Sequence, residues 1–305
     1  MTGSSRPAAQ GGWPSTRAGH TLGPVAALVF NACVWGVSWW PFRWLQQHGL
    51  HPLWATVIIY AVAVALITAW RPGAWGLLLR TPALWALMLA SGATNASFNT
   101  AVTLGDVVRV VLLSYLMPVW AVFLSRLLLS ERLTLLAGVR VVMALSGAAI
   151  VLWPEGAGWP FPQTAAEWLG VLAGFSFALN NVLLRREAHR PDTARALAMF
   201  AGGLVVSLGA ALWLGLQGGV PWPPPLSTAW VSGMLVMALI FLSSNLALQY
   251  GSARLPANAT AVVMVSEVLF ASASAVALGA GTMSWGLAGG AALILAASLM
   301  AAWRR

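Results

Sequence analysis

Residues 91–103 read SGATNASFNTAVT, and 150 positions later residues 241–253 read FLSSNLALQYGSA. Asn95 thus falls on Asn245 and Asn99 on Gln249, while the run Ser130–Thr134 falls on Ala280–Ser284. The wider blocks 84–152 and 234–302 repeat the same order of long apolar runs and short breaks. A unit of five membrane helices crosses the bilayer an odd number of times, so its second copy is upside down. Inverted pairs of helix bundles are the architecture of secondary transporters.

Composition supports a membrane setting. Of 305 residues, 59% are apolar and 8% charged, and mean hydropathy is +0.80. Soluble domains carry about 25% charged residues. The net charge of +9 comes from sixteen arginines, no lysine and seven acids. These arginines sit between apolar runs and do not gather on a polar face, which argues against nucleic acid as a partner. Cys33 is the only cysteine, so no intramolecular disulfide and no cysteine-based zinc site is available.

A helix needs about 20 mostly apolar residues to cross the hydrocarbon core. Ten such segments are predicted, at approximately 22–42, 52–70, 83–103, 107–129, 134–153, 167–185, 194–217, 228–250, 257–279 and 284–303. The fold class is therefore an all-α integral membrane protein of ten helices in two inverted five-helix repeats. Residues 1–21 are rich in Gly, Ser, Pro and Arg and read as a disordered cytoplasmic tail rather than a signal peptide. The first repeat spans 22–153, an external linker 154–166, the second repeat 167–303, and 304–305 close the chain in the cytoplasm.

Arginine marks cytoplasmic loops. With the amino terminus inside, thirteen arginines fall on the inner side, only Arg43 and Arg109 fall outside, and Arg140 lies within the fifth span. That asymmetry places both termini in the cytoplasm. Trp153, Trp159, Trp168 and Trp222 near span ends suit an interfacial belt.

Glu267 is the sharpest chemical feature. It lies near the middle of the ninth segment with no other charge nearby in that segment. A charge at that depth costs at least about 2.5–3.5 kcal/mol on insertion scales, so it faces the bundle interior or a partner. It is a candidate for proton coupling or for a substrate ammonium group; otherwise it is a protonated acid bonded to a neighbouring helix. Its counterpart is Met117. Pro118, the neighbour of Met117, removes a helical bond and frees the carbonyl of Ser114, which makes it a hinge or a static kink.

Asn95 and Asn99 share one helix face, extended by Thr103; Asn245 and Gln249 do the same one repeat later. They are candidates for binding a zwitterion, or interhelical glue. Asn31, Trp35 and Ser38 lie along span one, and Phe177 with Asn180 and Asn181 marks span six. Trp35, Tyr115, Trp120 and Phe177 offer stacking surface, or ordinary aromatic filling. Gly92, Gly138, Gly147, Gly202-Gly203 and Gly289-Gly290 permit close helix contact.

Val34-Trp35-Gly36, Tyr115-Leu116-Met117-Pro118 and the run LSERLT at 129–134, followed by Gly138 and Ser146-Gly147, carry a resemblance to the EamA-type members of the drug/metabolite transporter superfamily. Within it, Tyr115-Leu116-x-Pro118 most resembles the YddG-type exporters of aromatic amino acids. The resemblance implies a monomeric exporter of neutral amino acids or related metabolites in a bacterial-type inner membrane. Alternating access would proceed around a cavity lined by helices one, three, four, six, eight and nine. It implies no cofactor and no metal. A nucleotide-sugar carrier would want basic residues in that cavity, and only Arg109 and Arg140 are candidates. An enzyme is not expected: His20, His48, His51 and His189 fall in the tail or loops, and Asp106 with Arg109 makes a thin acid–base set. A channel is the remaining alternative.

Overall fold

The computed structural model describes residues 22–105, 107–132, 134–153, 161–279 and 285–302. The expected tail, Asp106, Leu133, the 280–284 half of the repeated turn, most of the linker and the last residues lie outside the described residues.

Fourteen helices and no strand occur among the described residues. They are α1 (Leu22–Val37), α2 (Trp39–Gln47), α3 (Pro52–Trp70), α4 (Gly73–Arg80), α5 (Pro82–Leu104), α6 (Val107–Ser114), α7 (Met117–Leu129), α8 (Leu135–Leu152), α9 (Ala165–Arg186), α10 (Asp192–Leu216), α11 (Thr228–Arg254), α12 (Ala257–Met264), α13 (Glu267–Ala277) and α14 (Trp285–Ala302). Each of the ten expected segments is helical. Length and hydropathy are sufficient for crossing in seven, or eight if the bent pair α4–α5 is one span, while α8 and α14 are apolar but shorter.

Local chemistry explains the ends. Prolines open α3 and α5 at the first helical position, where the missing N–H costs nothing. Ser130 closes α7 in the left-handed conformation at φ 54°, and the Thr134 side chain accepts the Ala137 amide at 3.2 Å to start α8. The run at 129–134 is thus a helix stop followed by a cap. Thr164 likewise caps α9, which starts at Ala165.

Three features depart from the expected pattern. The first segment continues to Gln47, interrupted at Ser38. The stretch between the second and third segments forms α4, which meets α5 at 96°. The fourth and ninth segments are each broken near the middle, into α6–α7 and α12–α13.

Leu89, Phe123, Leu127, Val142, Leu239 and Leu299 stand exposed on helix exteriors, as befits helices whose outer solvent is lipid. The interior is assembled from α5, α9 and α10. Small residues set the spacing. A Cβ on Gly202 of α10 would collide with the Met88 carbonyl of α5, and one on Gly92 of α5 would lie 2.7 Å from the Gly202 carbonyl. Gly147 of α8 and Gly290 of α14 approach each other's carbonyls in the same way, with added Cβ atoms meeting them at 2.7 and 2.6 Å. Gly138 and Gly289 face open space instead, so the expected contact role does not extend to them.

Candidate functional site

Two helix breaks define the site. At the first, the Leu116 amide turns back to the Leu113 carbonyl at 3.2 Å and the Val119 amide to Leu116 at 3.0 Å. At the second, Val265 bonds Val262 at 3.2 Å, Ser266 bonds Val263 at 3.0 Å and Val268 bonds Val265 at 3.1 Å. Both are tight turns that skip back three residues rather than four. Proline occurs only at the first, so Pro118 alone does not account for the pair. The Ser114 carbonyl that Pro118 releases lies directly against Gly174 of α9, whose missing side chain leaves room for it.

Tyr115, Met117 and Pro118 are buried at the first break. Trp120, one turn on, meets Phe175 of α9 edge-on at 5.5 Å between centroids, and its indole N–H is buried without a partner. Glu267 opens α13 at the second break. It is half-buried, makes no side-chain hydrogen bond or ion pair among the described residues, and lies within electrostatic reach of Tyr115. A carboxylate in the first turn of a helix is favoured by the helix dipole. Beside it, the buried Ser266 hydroxyl has no partner. Sequence reasoning passed over Ser266, since its counterpart is the apolar Leu116.

Helix α1 closes over this region. A Cβ on Gly36 would meet the Glu267 carbonyl at 2.6 Å, so the α1 and α13 backbones touch. The Trp35 ring stands edge-on to Phe241 of α11 at 4.7 Å, and Asn31 donates to the Ser244 carbonyl and hydroxyl at 2.9 and 2.6 Å. The Asn31 side-chain oxygen is buried without a partner.

The two amide stripes are engaged with neighbouring helices. Tyr60 of α3 donates to the Asn95 oxygen at 2.7 Å, Asn95 donates to the Ser91 carbonyl at 2.9 Å, and Asn99 donates to the Thr56 hydroxyl at 3.0 Å. In the second half the Asn245 amide contacts the Met199 sulfur at 3.5 Å, and the fully buried Gln249 amide lies 2.8 Å from Asn245 and 3.0 Å from the Asp192 carbonyl. The contacts to Tyr60, Thr56, Met199 and Asp192 cross between helices, as interhelical glue requires, whereas those to Ser91 and between Asn245 and Gln249 stay within one helix.

Helix α9 differs. Asn180 and Asn181 are fully buried, and all four of their side-chain polar atoms lack a partner among the described residues. Phe177, one turn before Asn180, is half-buried and packs on the core. Arg109 is drawn away from the site by Glu167, at 3.0 Å; Glu167 also accepts the Gln163 amide at 2.7 Å. Among the described residues no group of three or more His, Cys, Asp or Glu is placed to hold a metal.

Broken helices with unpaired polar groups at their breaks suit the binding of a small polar solute, and two such breaks packed through α7 and α12 suit a moving part. Residues 22–153 match the EamA-like transporter family. That stretch is thus similar to a family of membrane transporters of small molecules, not of enzymes. It comprises α1 to α8 and holds Tyr115, Met117 and Pro118, whereas Asn180 and Glu267 lie beyond it. No curated protein matches the chain. A solved protein crystal structure is similar in fold, with a TM-score of 0.72 over 94% of this chain and 98% of that one, at 20% identity.

Proposed function

We propose that the protein is an alternating-access exporter of neutral amino acids or related zwitterionic metabolites. It uses ten membrane helices arranged as two inverted five-helix repeats, 22–153 and 167–303. In this reading it works as a monomer in a bacterial-type inner membrane with both termini in the cytoplasm.

The observation that carries this reading is the recurrence of one helix break at matched positions, Tyr115–Leu116 and Val265–Ser266, with Glu267, which has no side-chain partner among the described residues, at the second. The exchange of packing partners supports the repeat. Helix α5 packs on α9 and α10, and its counterpart α11 packs on α1 and α3. Helices α6 and α7 pack on α9, and their counterparts α12 and α13 pack on α1. Helices α8 and α14 pack on each other, as do α3 and α10, where Tyr60 and Phe200 meet edge-on at 5.1 Å.

The charge at the site supports the substrate class. Glu267 can pair with an ammonium group, and the amides of Asn180 and Asn181 offer both donors and acceptors to a carboxylate or polar tail. An anionic nucleotide sugar is less well served, because Arg109 is committed to Glu167. The finer likeness to aromatic amino acid exporters rests on Tyr115, Leu116 and Pro118 at the first break, with Trp120 and Phe177 nearby in sequence or fold.

Flux of radiolabelled amino acids in proteoliposomes tests the assignment. Saturable, counterflow-competent uptake of at least one neutral amino acid is the expected result. Absence of flux across a broad amino-acid panel would sink the substrate class, and unsaturable flux would mean a channel.

A further inference from the structure

Helix α4 lies apart from the site just described. The span α3 ends at Trp70, and Arg71 begins the turn that leads into α4. Ala74 and Leu78 point inward and α4 packs on α10, while Leu77 and Leu79 stand exposed. The Trp75 indole fixes α4 by donating to the Thr68 hydroxyl of α3 at 2.9 Å. A short amphipathic helix set at 96° to the span that follows it fits the plane of a membrane interface.

Between α4 and the start of α10 lies a groove of about 610 Å³, lined by Trp70, Arg71, Gly73, Leu77, Asp192 and Thr193 among others. Its chemistry is two-signed. Arg71 is exposed, with its guanidinium 5.8 Å from the Trp70 ring centre, and the first turn of α4 opens beside it. Opposite stands Asp192, paired on one oxygen with the buried Arg195 yet 63% exposed at its side chain. Arg195 itself is turned inward to the Leu184 carbonyl at 3.2 Å, so it does not compete for the groove. Trp70 and Leu77 supply an exposed apolar wall.

We propose that this groove is a binding site for a phospholipid headgroup carrying both a phosphate and a primary ammonium, that is, a phosphoethanolamine lipid. The exposed Arg71 guanidinium takes the phosphate. The Asp192 carboxylate takes the ammonium, which must carry N–H donors. Trp70 and Leu77 hold the upper part of an acyl chain. A choline headgroup lacks those donors, and a glycerol headgroup lacks the positive charge. This site stands independently of the transport reading.

Native mass spectrometry on the full-length protein in mild detergent tests it, titrating phosphatidylethanolamine, phosphatidylcholine and phosphatidylglycerol with identical chains. The wild type is expected to bind the ethanolamine lipid about tenfold more tightly than either rival, the effect of one charge-assisted contact. Arg71→Ala removes the phosphate contact and should abolish that preference. Gly73→Leu puts a side chain into the groove and should do the same; an added Cβ at Gly73 meets nothing within 4 Å, and retained melting temperature checks that the variant is folded. Equal binding of the three lipids by the wild type overturns the proposal, as does a preference for phosphatidylglycerol. So does an ethanolamine preference that survives Gly73→Leu, even if Arg71→Ala fails to fold.

Discussion

The carbonyl of Ser114 rests against the bare Cα of Gly174, so the gap that Pro118 opens in one helix is filled by the backbone of another. A side chain at 174 would have to push α9 away from α6 and α7, because its contacts are Ser114 backbone atoms that cannot rotate aside. Gly174→Val is expected to cost about 1–3 kcal/mol, the usual penalty of overpacking. Gly209→Ala, where an added Cβ meets nothing within 4 Å, is the control and should be neutral or slightly stabilising. Thermal unfolding in detergent distinguishes the two, and equal melting temperatures would mean that α9 does not depend on this contact.

Glu267 makes no side-chain hydrogen bond or ion pair among the described residues, so Glu267→Gln should leave folding intact. If the carboxylate receives a substrate ammonium, the KM for a neutral amino acid rises at least about tenfold, as expected for a lost charge-assisted contact. If it carries protons instead, KM holds and the dependence of flux on a pH gradient disappears. Initial rates with and without a gradient separate these outcomes. A variant that matches the wild type in both would leave Glu267 a packing residue.

Asn180 and Asn181 bury four unpaired polar atoms, and each unsatisfied residue costs about 1–3 kcal/mol. Such a cost is retained where function uses the groups. The double variant Asn180→Leu with Asn181→Leu is therefore expected to raise the melting temperature while lowering counterflow at least about tenfold. A destabilised variant with normal transport would show instead that the amides support the fold.

The apolar runs made the helices legible, because a helix in lipid must satisfy its own backbone and so announces itself by length and hydropathy. Seven expected segments meet that standard, whereas α8 and α14 are short and α4 escapes it altogether, its amphipathic pattern filling only eight residues. The break at Tyr115 was legible through Pro118. The matching break at Val265 was not, because nothing in Val262–Val268 but Ser266 and Glu267 interrupts an ordinary helical sequence. Polar residues inside the bundle were easy to find, but sequence could not say which would meet each other. Asn95 is claimed by Tyr60, 35 residues away, and Asn31 by Ser244, 213 residues away. The orphaned state of Asn180 and Asn181 emerges only once every neighbour is placed.

His51 gives a pH dependence outside the spans. It caps α3 with its ring Nδ1 accepting the Leu53 amide at 3.2 Å, and burial holds its pKa below the ordinary value of 6.5. Protonation would turn that acceptor into a donor and lose the cap. With the folded pKa depressed, the unfolded chain binds the proton more readily, so stability rises with pH. His51 therefore contributes fully above pH 6.5, and that contribution is lost as pH falls from 6.5 through the lower folded value. His51→Asn keeps a capping acceptor that does not titrate. Melting temperatures measured from pH 7.5 to pH 5 should fall less steeply for this variant than for the wild type. Parallel slopes would mean that His51 binds its proton equally well in the folded and unfolded chain and that the acid sensitivity lies elsewhere.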